Sequence, residues 1–363
     1  LERLVKKFEH ASRSIDKRTN NYPFAQAVTP TQPNSLALSQ DGTDFSYFAQ
    51  IKFGSNGTPL WMLMDTGASA TWVMGNGCTS AACLSHNTYG AANSTSFQGN
   101  SGAFDIAYGT GHVTGTLGTD TVSFAGFSLS ITFGVANQTS DDFVHFPFDG
   151  IMGLARNQGS YPTVLEALSS SKASAATLFG VNIDRNSDGG HDGAINFGAP
   201  DTSKYSGNLG YTPLANTEGA WIIPADGVGI DGKSAGISGR NAYIDTGTSY
   251  IFIPPADAKA VHSLIAGSQL SPDGRSWYVP CATTSPIQFT FSGTVYDVSP
   301  QDWIGGKNGG SLCVSNIYPG TPVGGGNWLL GDTFMKNVYT VFDSGNNRIG
   351  TSSRSKCSIC DSV

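Results

Sequence analysis

The chain has 363 residues, enough for two domains of ordinary size. Only 13% of residues are charged and the net charge is −7, which excludes a basic phosphate-binding surface, and with it a nucleic-acid partner, and suits work in acid. No apolar run approaches the length needed to cross a bilayer. The 46 glycines and short, scattered apolar runs predict strands and turns, not long amphipathic helices.

Residues 1–18, LERLVKKFEHASRSIDKR, differ in character from the rest of the chain. They are rich in basic residues, place Leu4, Val5 and Phe8 at helical spacing and end in Lys17 and Arg18. A solvated terminal helix accounts for this pattern, as does the end of a propeptide closing on a dibasic processing site, which is the reading we favour. The chain begins at Leu1 without Met and shows no signal peptide, so a removed upstream segment is expected. A mature start is expected between Thr19 and Asn34, with the proline-containing stretch Val28 to Ser35 as linker.

Phe45 to Gly54, FSYFAQIKFG, alternates as a strand does. Leu60 to Val73, LWMLMDTGASATWV, then places Asp65 at the end of an apolar run. A buried carboxylate is costly unless it is hydrogen-bonded or shares a proton with a neighbour. Asp-Thr-Gly taken alone is compatible with an ordinary turn. Gly102 to Gly118, GAFDIAYGTGHVTGTLG, predicts a hairpin with a glycine-rich tip. Phe148 to Leu154, FDGIMGL, is a second apolar run with glycines. Helices are expected over Tyr161 to Ser171 and over Ala256 to Ala266, where Pro254 and Pro255 suit a helix start. Turn residues and short strands from Gly189 to Pro213 suggest the crossing between two halves.

Ala242 to Ile253, AYIDTGTSYIFI, repeats the first acidic motif around Asp245, and Trp328 to Asp332, WLLGD, repeats the later apolar run. The interval from Asp65 to Gly153 nearly equals that from Asp245 to Gly331. The repeat is therefore of whole lobes. If the lobes face each other, Asp65 and Asp245 meet and hold one proton between them, which makes an acid and a base of two identical groups.

These motifs together resemble those of the pepsin-like aspartic proteases, from about Phe45 to Ile349. The resemblance implies a mainly β, bilobal fold: two pseudo-symmetric barrel-like lobes with a cleft between them. On this basis residues 1–33 form a propeptide remnant and linker, 34–205 the N-terminal lobe and 206–363 the C-terminal lobe. It further implies an endopeptidase that activates water through Asp65 and Asp245, acts on proteins and peptides at acidic pH, is blocked by pepstatin-type inhibitors, is monomeric and needs no cofactor. Thr66 and Thr246 would cross-bond the two active loops, and Gly67 and Gly247 would let them turn close together. Tyr108, Gly109 and Thr110 would form the tip of a flap, the Tyr108 hydroxyl held by the indole of Trp72. Trp72 would serve equally as core. Leu63, Phe148 and Ile151 are expected pocket walls, although a core also uses such residues. Cys78 with Cys83, and Cys281 with Cys313, match two disulfides of the family. In zymogens of this kind a prosegment lysine blocks the acids, and Lys6, Lys7 and Lys17 are candidates.

The same resemblance exposes two departures. Where the family places a hydroxyl three residues after each acid, this chain has Ala68 and Thr248, so Asp65 is expected to lose one stabilising bond. Thr110 stands where some fungal relatives carry an acid that accepts lysine, so large apolar or aromatic residues are expected beside the scissile bond.

The pair Cys357 and Cys360 lies outside the family pattern; a local disulfide or loose tail is expected in preference to a redox or metal site. Sequons at Asn56, Asn93 and Asn137, with paired cysteines, favour export, to the outside or to an acidic vacuole-like compartment. The six histidines form no metal spacing and no serine nucleophile elbow is present. The competing class is a non-catalytic pepsin-like peptide- or inhibitor-binding protein.

Overall fold

The computed structural model describes residues 24, 26–109, 111–157, 161–171, 178–216 and 219–355. The candidate prosegment lysines Lys6, Lys7 and Lys17, the flap residue Thr110 and the pair Cys357 and Cys360 lie outside the described residues.

Strand Thr58–Asp65 is the centre of the first half. It pairs antiparallel with Tyr47–Phe53 on one side and parallel with Gly150–Gly153 on the other. Neighbours on both edges and packing on both faces bury it from Leu60 to Asp65, which is why its sequence is continuously apolar instead of alternating. Trp72–Met74 returns antiparallel to Gly150–Gly153, and the long strands Phe127–Thr139, Gly111–Phe124 and Gln98–Tyr108, with the short edge strand Ser39–Gln40, complete an eight-stranded sheet. Tyr47–Phe53 also pairs with Gly111–Phe124, curling this sheet on itself. The hairpin joining Gly111–Phe124 to Phe127–Thr139 turns at Ala125 and Gly126, both at positive φ (50° and 84°), the conformation that matches the strand twist.

The second half repeats the plan. Arg240–Ile244 pairs parallel with Trp328–Leu330, which pairs antiparallel with Ile251–Ile253. Each acidic loop therefore bridges two strands that flank a third from much later in the chain. Gly153 and Gly331 sit where those strands pass the loops. A Cβ at Gly153 would lie 2.6 Å from the Ala68 carbonyl oxygen, and one at Gly331 would overlap the Thr248 carbonyl. Only glycine fits such an approach.

Between the halves lies a six-stranded sheet in the order Ser35–Ala37, Ala194–Phe197, Leu178–Asn182, Val338–Asp343, Arg348–Ser353, Gly210–Pro213. Four of its segments, Ala194–Phe197, Leu178–Asn182, Val338–Asp343 and Arg348–Ser353, are adjacent strands drawn from both halves of the chain. The lobe crossing expected within 189–213 is thus part of a shared sheet, and the division at 205/206 cuts through it. The segment before residue 34 also docks: Phe24 packs edge-on to Phe48 and Trp61, with centroids 5.0 and 4.7 Å apart.

The helices expected near 161 and 256 occupy Val164–Ser170 and Pro255–Ser263. The first begins three residues later than expected because Thr163 caps it, accepting from the Glu166 amide while Glu166 accepts from the Thr163 amide. Disulfides join Cys78 to Cys83 and Cys281 to Cys313. Among the described residues no helix is long and apolar enough to cross a membrane.

Candidate active site

Asp65 ends its strand and Asp245 directly follows Arg240–Ile244, so both carboxyls emerge at the point where the halves meet. The loops interlock through their threonines. The Thr66 amide donates to the Thr246 hydroxyl and the Thr246 amide to the Thr66 hydroxyl, both at 3.0 Å. Each hydroxyl in turn donates to a carbonyl across the interface, Thr66 to Ile244 and Thr246 to Met64. Four reciprocal bonds in a buried setting fix the loops to each other with two-fold pseudo-symmetry.

This clamp brings the acids together. A Cβ on Gly67 would stand 2.6 Å from an Asp245 carboxylate oxygen, and one on Gly247 would overlap the Asp65 carboxyl. Each acid therefore lies against the other loop's glycine. Both are nearly out of water, at 7% and 8% exposure. Burial first, and the adjacent charge of Asp245 second, hold the Asp65 carboxyl well above the ordinary carboxylate range. Two acids this close do not both ionise readily.

Their partners differ. Asp65 Oδ1 accepts only amides, from Gly67 at 2.8 Å and Ala68 at 3.0 Å. Asp245 accepts the Gly247 amide at 2.8 Å and also the Thr248 hydroxyl at 2.6 Å. Each carboxyl thus accepts two donors, with a hydroxyl among those of Asp245.

Tyr108 ends strand Gln98–Tyr108 and pairs with Gly111, so it stands at the tip of this hairpin beside Gly109. Its hydroxyl accepts from Trp72 Nε1 at 2.9 Å. Burial and the nearby Asp65 push its pKa up, which keeps it a neutral hydroxyl. Trp72 is fully buried as well, so it is both core and anchor. Leu63, Phe148 and Ile151 are buried in the apolar cluster beneath Tyr108, while Ile106, Leu117, Val144, Phe146 and Tyr161 are its partly exposed members. The three residues expected as pocket walls are thus buried, and partly buried neighbours pack against them. Burial on both sides of a strand cannot be told from pocket lining in one sequence.

Beside Asp245 the structure opens a cavity of about 390 Å³ bounded by Gly67, Ala220, Trp221, Ile222, Tyr243 and Leu329. The residues from Ala220 to Ile222 carry no motif, whereas Gly67, Tyr243 and Leu329 lie within the repeated motifs. Of the sequons, Asn56 and Asn137 are exposed and Asn93 is half-buried, with Asn56 Nδ2 donating to the Asn93 carbonyl at 2.8 Å. Among the described residues no group of three or more His, Cys, Asp or Glu side chains is arranged to hold a metal ion.

The family model for eukaryotic aspartyl protease matches residues 46–354. The chain is 42% identical over 342 residues to the aspartic-type endopeptidase ctsD of Aspergillus fumigatus, covering 93% of this chain and 72% of that protein. It is 42% identical over 342 residues to the probable aspartic-type endopeptidase CTSD of Trichophyton verrucosum, covering 93% and 67%. It is also 34% identical over 324 residues to pepsin A of Bos taurus, covering 86% and 85%. With the matched model spanning both acidic loops and five of the six strands of the sheet between the lobes, the chain belongs to the eukaryotic aspartyl protease family.

Proposed function

We propose that Asp65 and Asp245 are the catalytic pair through which this aspartic endopeptidase hydrolyses peptide bonds in acid. The observation that carries the proposal is the mutual seating of two buried carboxyls, each against the glycine of the other loop. Asp65 keeps the shared proton, because burial and the neighbouring charge oppose its ionisation. Asp245 takes a proton from a water while Asp65 donates to the scissile carbonyl oxygen. The roles then reverse, and the leaving amine departs protonated.

Tyr108 closes over the substrate from the flap. The apolar cluster beneath it supports a preference for large apolar or aromatic residues beside the scissile bond. Pepstatin-type compounds are the inhibitors that this arrangement should take. Two disulfides support an oxidising destination, outside the cell or in an acidic compartment, for a monomeric enzyme. Glycosylation at Asn56, Asn93 or Asn137 belongs to the same reading, as does a prosegment before residue 34.

The test is cleavage of denatured haemoglobin between pH 2 and 7, with and without pepstatin, before and after acid incubation. Acid activity that pepstatin abolishes, and that Asp65→Asn and Asp245→Asn each eliminate in folded protein, supports the assignment. A lag during which residues before Asn34 are shed supports the prosegment. Folded, processed protein without activity at any pH would overturn the catalytic pair and favour peptide binding alone.

A further inference from the structure

Arg156 lies just beyond the strand Gly150–Gly153 and reaches from the first half of the chain into the second. It is buried, at 8% exposure. Its Nη1 donates to Asn347 Oδ1 at 3.3 Å, and its Nη2 donates to Asn216 Oδ1 at 3.0 Å and to the Asn216 and Ala220 carbonyls at 3.3 Å. Asn216 Nδ2 also donates to the Ala220 carbonyl, at 3.1 Å, so two side chains converge on that oxygen. The guanidinium carbon stands 5.3 Å from the centre of the Trp221 ring, within the range of a cation–π contact. Asn216, Ala220 and Trp221 are walls of the cavity beside Asp245. Arg156 therefore holds three wall residues without lining the cavity.

The residues next to Arg156 join this wall to both acidic loops. The Leu154 amide donates to the Asp65 carbonyl at 2.7 Å, and the Ala155 amide to the Ala68 carbonyl at 2.9 Å. The Leu154 carbonyl in turn accepts from Trp221 Nε1 at 2.9 Å. On its other side Trp221 accepts, through its own carbonyl, the amide of Ile244 at 3.0 Å, and Ile244 directly precedes Asp245. Trp221 is thus one residue removed from each acid by hydrogen bonds, and Arg156 adds the side-chain hold on Asn216 and Ala220 beside it.

We propose that Arg156 is a positioning residue for peptide hydrolysis, a buried guanidinium from one lobe that fixes the Asn216, Ala220 and Trp221 wall of the other lobe relative to the two acids. This rests on the endopeptidase reading above. Arg156 touches no reacting atom, so its contribution is to binding: a wall already ordered in the free enzyme loses less entropy when the peptide arrives. The planar fork matters more than the charge, because its acceptors come from Asn216, Ala220 and Asn347, three separate points of the second lobe. A lysine ammonium keeps the charge without the fork.

The test is steady-state cleavage of a Phe-containing peptide in acid by the unaltered enzyme, Arg156→Met and Arg156→Lys. Methionine keeps an apolar stem against Trp221 and deletes the hydrogen bonds. KM should rise at least about threefold in Arg156→Met and by less in Arg156→Lys, while the alkaline limb of the kcat/KM profile stays in place because the threonine clamp still holds the acids. A merely structural role would lower the active fraction, and so the apparent kcat, at unchanged KM. Since KM does not depend on how much of the protein is folded, the split survives partial misfolding. If Arg156→Met yields no folded protein, a KM rise of at least about twofold is required of Arg156→Lys. A smaller rise, whatever happens to kcat, would overturn the positioning role, as would a displaced alkaline limb, which would place Arg156 in the titration of the acids. Absence of cleavage by the unaltered enzyme would instead overturn the endopeptidase assignment, and the two failures are therefore distinguishable.

Discussion

Asp65 and Asp245 occupy matched turns but lack matched partners, and the difference lies in one side chain. Thr248 gives Asp245 a hydroxyl donor, while Ala68 offers Asp65 only its amide. A bond to the charged form is worth about 1 kcal/mol when partly compensated, or somewhat under one pKa unit. Ala68→Ser adds such a donor and should lower the pKa of Asp65. In the proposed mechanism Asp65 supplies the proton that activity requires, so the alkaline limb of the kcat/KM profile should move to lower pH by under about one unit. A profile that stays in place would show that the added hydroxyl does not reach the carboxyl.

A second residue-scale prediction concerns Asp184, which is buried away from the cleft. Burial first and the charge of Asp192 second push it up to about 6, and His191 Nδ1 stands 3.9 Å from it. A folded pKa above the unfolded value of about 3.9 means stability fully present below about pH 4 and lost as pH rises through about 6. The shift amounts to roughly 3 kcal/mol. Asp184→Asn should therefore flatten the fall in thermal midpoint between about pH 4 and pH 7, measured at one scan rate. An unchanged fall would place the neutral lability elsewhere.

At the scale of elements, a bond from Trp72 helps fasten the flap hairpin at its tip. Strands Gln98–Tyr108 and Gly111–Phe124 extend well beyond the sheet's centre, and Trp72 Nε1 fastens Tyr108 to the strand Trp72–Met74. Trp72→Phe keeps an aromatic ring in the core but deletes the donor. The expected loss is about fivefold to tenfold in kcat/KM, the worth of one hydrogen bond. Tyr108→Phe should add little in that background, because both changes break the same bond. Independent, multiplying effects would show that Tyr108 acts without Trp72. The crossing strands make a sharper demand, since a Cβ at Gly331 would overlap the Thr248 carbonyl beneath Asp245. Gly331→Ala should abolish activity and lower the thermal midpoint together, whereas retained activity would mean that the strand can yield.

Across the whole molecule, the shared six-stranded sheet and a buried ion cluster beside it join the threonine clamp in holding the lobes in register. Arg185 grips Asp302 with Nε and Nη2, the latter at 2.6 Å, and Lys336 bridges Asp302 at 3.2 Å and Asp44 at 3.3 Å. Burial alone would raise the Asp302 pKa, but the Arg185 bonds and the Lys336 charge hold it below the ordinary range. Its stabilisation is therefore present above the unfolded pKa and fades as pH falls through the lower folded value. Asp302→Asn leaves Arg185 and Lys336 without this carboxylate and should cost about 3–5 kcal/mol, read as a lowered denaturation midpoint. A cost under about 1 kcal/mol would show that Asp44 and Asp188 compensate.

The sequence by itself determined the two acids, their glycines and threonines, the hairpin that carries Tyr108 and the duplication of the lobe. Each of these is a local pattern, legible because an acid in an apolar run and a glycine at a strand crossing violate the ordinary expectation for a core. Only the tertiary structure decided that Leu63, Phe148 and Ile151 are buried, that Trp72 both packs and donates, and that the strands from residues 35–37 to 348–353 share one sheet. It also decided that a hydroxyl reaches Asp245 while backbone amides reach Asp65, and that Phe45 joins Tyr250 across the lobes. These are matters of burial and of contact between residues distant in the chain, and no periodicity along one strand records which face another lobe will cover.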